Sequence, residues 1–399
     1  MSPQSHPPRE CQPCTQSVRS GIASDPTHGA VAPPLYLSSN FCFEGLEAPR
    51  SFDYTRSGNP TRAELEQAIA RLEGGGGASG TGSGMAAVTL ALHAFVTDRS
   101  LRGRRGKVIA QHDSYGGTHR LLTSLAEGGL FDLRFLDLSS PEGLDALDRD
   151  QADLIWVETP SNPLLRVTDI EAVAERAGDA RVLVDNTFLS PALQNPLALG
   201  ADLVLHSTTK SLNGHSDIVG GALVAKTRED AETADWWCNC LGLGQSPFDS
   251  YLVLRGMRTL HARWAVHERN ANLLAERLVA HPAVERVYYP GLRSHPGHGL
   301  ARRQQRGFGA IISLEIAGGK TGVRRLVEDL ELFCLAESLG GVESLVSHPA
   351  TMTHAAMDPE ARRRAGITDG LVRLAVGIEA VEDLVADIER GLERVRRAA

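Results

Sequence analysis

Between residues 107 and 226 the chain repeats one pattern: a short, nearly continuous apolar run, then a helical or turn-rich stretch. The runs are KVIAQH (107–112), DLRFLDL (132–138), ADLIWVE (152–158), RVLVDN (181–186), ADLVLHST (201–208) and GGALVAK (220–226). A strand wetted on one face alternates apolar and polar residues, whereas a continuous apolar run needs cover on both faces. Such strands divided by helices predict a mostly parallel sheet between two helical layers, an α/β fold. Polar residues stand at the C-terminal ends of the runs: His112, Glu158, Asp185 and Ser207. That edge is where open α/β sheets bind ligands.

At 399 residues the chain exceeds the usual limit of one hydrophobic core, so two domains are expected. Residues 61–256 read as a large domain and 257–399 as a smaller α/β domain with short strands such as GAIISLEIAG (309–318). Residues 1–60 form a tail and an arm. The first twenty residues are polar and Pro-rich and are expected to be disordered, whereas 27–61 carries aromatics and prolines and reads as an extended arm that packs on something. Thr61 is the expected N-cap of a helix with Leu65, Ala68 and Leu72 on one face. Further helices are expected over 85–96, as one long element over 251–280, and over 381–399.

A net charge of −8, from 41 basic and 49 acidic residues, shows no basic excess for nucleic acid. RSLRGRRGK (99–107) and ARRR (361–364) read as solvated faces. No segment is apolar enough to cross a bilayer, and the N-terminus lacks a secretory core, so a cytoplasmic protein is expected. Six cysteines in a chain this long do not make a disulfide framework. Cys11 and Cys14, with Cys238 and Cys240, could form a four-sulfur zinc site, but neither pair has zinc-ribbon turn chemistry and no metal is expected. Cys42 and Cys334 read as buried thiols.

The chemistry concentrates in HSTTKSLNGHSD (206–217), with Lys210 at its centre and Asp185 25 positions earlier in VDNTF. This arrangement suits pyridoxal phosphate. Lys210 can form a Schiff base with the aldehyde, Ser207 and Thr209 can hold the phosphate, and Asp185 can pair with the ring nitrogen. Lys210 could instead be a surface lysine, and Asp185 a turn cap; the apolar run and small neighbours favour a recessed amine of lowered pKa. Tyr115, before two glycines, could stack on the ring or be an ordinary turn residue. The loop GASGTGSGMAA (77–87) opens a helix and can bind an anion. It lacks the GK[ST] of a nucleotide loop, and no strand is expected to lead into it, which argues against a dinucleotide fingerprint.

Together these segments resemble the cystathionine and methionine metabolism family of pyridoxal-phosphate enzymes, which has the aspartate-aminotransferase-type fold. The resemblance runs from about residue 16 to the C-terminus, through YTRSGNPT (54–61), SGMAA (83–87), DSYGGTHR (113–120), ETPSNP (158–163), VDNTF (184–188), HSTTKSLNGHSD, AESLGGVES (336–344) and LVRLAVGIE (371–379). It implies a large domain with a seven-stranded-type, mostly parallel sheet and a smaller C-terminal α/β domain. It also implies that Tyr54 and Arg56 reach the cofactor phosphate of a neighbouring subunit, so that sites are shared in a homo-oligomer, a tetramer of paired dimers. Gly84 and Met85 would give phosphate-binding amides beside Ser207 and Thr209. Arg373, aided by Asn162, would hold the substrate α-carboxylate, and Ser338 would position both lysine and carboxylate.

The second half most resembles members that join an O-acyl-L-homoserine to L-cysteine by replacement at the γ-carbon, in methionine biosynthesis. Glu337 is the discriminating position: usually acidic in members acting at Cγ, usually tyrosine in those eliminating at Cβ. Asp53 and Arg120 are candidates for recognising the leaving group or the incoming amino acid. His119 departs from the aromatic residue many relatives carry. A γ-lyase or a sulfhydrylase of the same family remains the alternative activity, and a non-catalytic relative the alternative class.

Overall fold

The computed structural model describes residues 11–97, 105–147, 151–328, 330–355, 357 and 359–397. The six apolar runs form strands β2 (Gly106–Gln111), β3 (Phe131–Leu136), β4 (Leu154–Glu158), β5 (Arg181–Asp185), β6 (Leu203–His206) and β7 (Gly221–Ala225), after a first strand β1 (Gly77–Thr81). Their order is β1-β7-β6-β5-β4-β2-β3. Pairing is parallel from β3 to β6, and antiparallel where β7 meets β6 and β1. Both faces of β4, β6 and β7 are dry, as continuous apolar runs require, while the edge strand β3 is part-exposed. Ile155 and Val157 of β4 enter one core while Leu154 and Trp156 enter the other.

β1 corrects the expectation that no strand precedes the 77–87 loop. GASGT has Thr81 as its one β-branched residue and is otherwise small, so composition hides it. Its glycine serves close packing instead: a Cβ on Gly77 would come 2.7 Å from Ala231 of helix Arg228–Leu241.

A second sheet follows, in the order β10-β11-β12-β9-β8, from β8 (Val284–Tyr288), β9 (Ile311–Ile316), β10 (Cys334–Leu335), β11 (Leu345–Ser347) and β12 (Leu371–Ala375). Helices Gly319–Val327 and Val381–Arg397 cover it. The latter buries Leu384, Ile388, Leu392 and Val395 at helical spacing.

Three local expectations change. Helix Pro60–Glu73 is capped by Asn59, whose side chain accepts from the Thr61 and Arg62 amides; Pro60 takes the first helical position, so the cap moves back. Thr61 instead ties down the arm, accepting from Tyr36 N (2.9 Å) and donating to Pro34 O (3.1 Å). The long helix is two, Pro247–Met257 and Leu260–Val279; between them Arg263 donates to Gly256 O (2.9 Å) and to Ser211 O (2.8 Å), one residue past Lys210. Residues 1–10 lie outside the described residues, but Pro13–Val18 is a helix, docked through Ser17 Oγ on Met257 O, rather than disordered tail.

Cys42 and Cys334 are exposed, not buried, because one lies on the arm and the other on a two-residue edge strand. Of the arginine runs, 99–104 lies outside the described residues. Arg362 turns inward and donates to Ala350 O at 2.8 Å instead of facing solvent. Among the described residues no helix is long and apolar enough to cross a membrane.

Candidate active site

The C-terminal ends of β4, β5 and β6 open into a cavity of about 380 Å³, closed on the far side by the 337–339 segment and β12. Lys210, Asp185, Asn162, Glu337, Ser338 and Arg373 all line it. Residues separated by up to 211 positions meet because the C-terminal ends of β4 to β6 and the middle of β12 face the same space.

Lys210 follows β6 in a turn, and its Nζ donates to Ser338 Oγ at 2.7 Å. Burial, then the nearby Arg373 cation, push the amine down to about 8, while Glu337 opposes them. Ser338 holds a left-handed φ of 96°, and Gly340, at φ 78°, lets this loop approach the lysine backbone. A Cβ on Gly340 would stand 2.6 Å from Ser211 N.

Arg373 projects from β12 into a dry setting that pushes its guanidinium down to about 10. It donates to Asn162 Oδ1 (3.0 Å) and to Ser338 O (2.9 Å), leaving Nε buried without a protein partner. The fork is thus held from behind and aimed into the cavity. That is the geometry for a carboxylate.

Asp185 ends β5. Burial raises its carboxyl, and hydrogen bonds from Thr187 oppose the rise; Thr187 N donates at 3.0 Å. Ser207 N donates to Thr187 Oγ1 (2.9 Å), and Thr209 Oγ1 exchanges bonds with Gly220, so the turn between β6 and Lys210 is fixed.

Helix Gly84–Leu92 starts at the same cavity, capped by Ser83 Oγ on Ala86 N (3.0 Å). Ser83, Gly84 and Met85 line the wall next to Ser207 and Thr209. A Cβ on Gly84 would lie 2.9 Å from Ser207 Cβ, so only glycine lets the helix start this close to those hydroxyls. The N–H-rich start of a helix beside two hydroxyls fits a phosphate.

Tyr115 precedes helix Gly116–Glu127, and its half-exposed ring passes over Gly117, where a Cβ would be 2.5 Å from the ring. Its amide donates to Glu158 Oε2 at 2.6 Å. Glu158, standing at a strand end, received no role from the sequence; it lines the cavity, and burial followed by the Asp185 charge pushes its carboxyl well above the usual range. Thr353, on the loop before the helix at Pro359–Ala365, also lines the cavity.

The remaining candidates stand elsewhere. Asp53, Tyr54, Arg56 and Arg120 are exposed and do not line this cavity. Arg56 donates to Asn239 O (3.0 Å) and Oδ1 (2.8 Å), and Asp53 accepts from Ser57 Oγ (2.9 Å) and Tyr54 N (2.6 Å). His119 stacks on Phe135, centroids 4.3 Å apart, away from the wall. Among the described residues no group of His, Cys, Asp and Glu is gathered for a metal.

A depressed lysine amine, a carboxylate at a strand end and an anion cradle in one cavity define a class: an α/β enzyme that works with pyridoxal phosphate. The match to the Cys/Met metabolism PLP-dependent enzyme family covers residues 14–393, and the chain belongs to that family. Cystathionine gamma-synthase of Escherichia coli K12 is 49% identical over 385 residues, 96% of this chain and 98% of that one. Cystathionine beta-lyase of Lactococcus lactis subsp. cremoris is 46% identical over 384 residues, 95% and 98% of the two chains. The crystal structure of cystathionine gamma synthase from Xanthomonas oryzae pv. oryzae, in complex with aminoacrylate and cysteine, superposes with a TM-score of 0.95 at 53% identity, covering 98% of this chain and 100% of that one. The cofactor is pyridoxal phosphate, and the chemistry is that of cystathionine metabolism.

Proposed function

We propose that the enzyme replaces the γ-acyloxy group of an O-acyl-L-homoserine, succinyl or acetyl, with the sulfur of L-cysteine, giving L-cystathionine and the free carboxylate. The observation that carries this reading is Glu337, an acid in the cavity whose charge acts on the Lys210 amine. Members of the family acting at Cγ usually have an acid there, and the E. coli and Xanthomonas relatives bear the synthase name.

In this reading Arg373, with Asn162, binds the substrate α-carboxylate, and Ser338 holds both the lysine and the arginine in register. Bound pyridoxal phosphate supplies an aldehyde that condenses with amines and a ring that accepts the electron pair left at Cα. Gly84, Met85, Ser207 and Thr209 hold its phosphate, Tyr115 covers the ring, and Asp185 keeps the ring nitrogen protonated. Lys210 Nζ is the proton carrier. It removes the proton from substrate Cα, and a Cβ proton is lost next so that the acyloxy group leaves with its bonding pair. The cysteine thiolate then adds at Cγ, and protons return to Cβ and Cα. An amine poised near 8 suits this work, since a useful fraction is neutral at physiological pH.

Tyr54 and Arg56 complete the phosphate site of a neighbouring copy, with dimers paired as tetramers in the cytoplasm. Asp53 and Arg120 flank the leaving group or the incoming amino acid there. Residues 61–256 and 257–399 act as the large and small domains, with 1–60 as tail and arm.

Product analysis tests the reading. Purified enzyme given O-succinylhomoserine and cysteine should accumulate cystathionine. Release of 2-oxobutyrate from supplied cystathionine at a higher kcat/KM would assign a γ-lyase, and pyruvate a β-lyase.

A further inference from the structure

We propose that Glu158 is a positioning residue: one buried carboxyl group that, by accepting from the Tyr115 main-chain N–H, holds the ring platform in a fixed relation to the strand end that leads into the carboxylate anchor at Asn162. The inference rests on the roles assigned above to Tyr115 and Asn162, and reaches a residue those roles leave out.

β4 ends at Glu158, directly beside Asp185 at the end of β5 in the parallel register. Glu158 Oε2 accepts from Tyr115 N at 2.6 Å, and Asn162 stands four residues on, in the segment that leaves β4. Tyr115 begins the helix whose first turn faces the cavity, and Asn162 Oδ1 accepts from Arg373 Nη1 at 3.0 Å. One side chain therefore links two walls that otherwise belong to different loops. A shift in one is carried to the other.

The charges around it favour a hydrogen-bonding acid over a second anion. Asp185 and Asp113 both oppose its ionisation, and the Arg373 cation is bound to Asn162 and Ser338. Asp113 is itself held by Arg166 Nη1 (2.6 Å) and Ser161 Oγ (2.7 Å). Two close carboxyl groups in a low-dielectric wall do not both ionise readily, and Asp185 is the one opposed to the ring nitrogen. Lys210 already carries the proton chemistry. What remains for Glu158 is to hold the backbone.

The test compares Glu158→Gln, which is neutral and keeps an acceptor oxygen, with Glu158→Ala, which leaves the Tyr115 amide without its acceptor. Glycine serves as the probe, since it has an amine and a carboxylate but no leaving group; its binding to holoenzyme is followed at the cofactor absorbance band. Glu158→Ala should weaken glycine about tenfold or more, the usual scale for orphaned buried donors, and Glu158→Gln should stay within about threefold of wild type. The pH midpoint of the cofactor band should be the same in wild type and Glu158→Gln. If Ala does not yield folded protein, Glu158→Met, of similar volume and without a strong acceptor, takes its place.

Glycine binding in the Ala or Met variant equal to wild type, with only a lower melting temperature, would mean plain structural support and overturn the proposal. Gln as damaging as Ala, or a midpoint moved by more than about one unit, would show that Glu158 acts as a charge, and would also overturn it. A wild-type protein with no cofactor band would fail the functional reading itself, a different outcome from any of these.

Discussion

The cavity wall and the arm are built on opposite principles. Around Lys210 polar groups are buried and held by named partners: the amine on Ser338, the Arg373 fork on Asn162 and Ser338, the Tyr115 amide on Glu158. Along the arm the main chain is held, but large apolar side chains are left uncovered. Arg62, buried, donates to Thr55 O (2.9 Å) and Arg56 O (3.2 Å), while Leu37, Phe43, Leu46 and Tyr54 face outward, Leu46 at 98% exposure. Apolar surface left in water forfeits roughly 25 cal/mol per Å². A wall held within one chain, beside an arm that is fixed but uncovered, is what the proposed sharing of the site between copies requires.

The comparison breaks most sharply at Lys210. Lys210→Ala should still take up the cofactor, without an imine to the protein, and turnover should fall by at least about 10⁴-fold, the scale seen when a covalent or proton-carrying group is removed. Steady-state rates check this. Activity near wild type would mean that the interior wall is not the reacting face.

Arg373→Leu comes next. The buried fork would lose its carboxylate-binding role, and Asn162 Oδ1 and Ser338 O would lose their donor. KM for the amino-acid substrate should rise about 100-fold, as for truncation of a buried charge partner. Cofactor affinity should change far less. Equal loss in both would place Arg373 at the phosphate instead.

The arm is tested by mixing. Arg56→Ala should weaken cofactor retention about tenfold, the scale of one charge-assisted contact to a phosphate. Mixed with Lys210→Ala it should regain activity, because hybrid dimers contain one site with both residues intact. No recovery in any hybrid would detach the arm from the site.

Much of the interior was legible because burial leaves a mark on composition. Continuous apolar runs announced β2 to β7, and their polar last residues marked the ligand edge. β1 was hidden because its glycines look like loop, although Gly77 is there for close approach to helix Arg228–Leu241. The Asn59 cap was missed by two positions because Pro60 is tolerated inside the first helical turn. Glu158 opens the ETPSNP segment and ends an apolar run, but its work lies in a register with Asp185 and a bond to Tyr115, which a linear reading does not contain. Arg373 and Ser338, from the second sheet, were placed at the cavity by resemblance, and no spacing rule joins them to Lys210 across 128 residues or more.

The gentlest test concerns the lysine proton. The Lys210 amine sits near 8 against a usual 10.5, with burial as the main cause and the Arg373 cation second. In the apoprotein, capture of an aldehyde by this amine should rise with pH to a plateau, its midpoint near 8. The unfolded chain holds this proton more tightly, so the group's penalty on stability is present below about pH 8 and is relieved as pH climbs towards 10.5. Neighbouring charges tune the midpoint in opposite senses. Arg373→Leu should raise it by removing a cation, and Glu337→Gln should lower it by removing an anion. The arm variant Arg56→Ala should leave it where it is. A midpoint that moves with the arm and ignores Arg373 and Glu337 would reverse the comparison, making the outer half of the site the one that sets the amine.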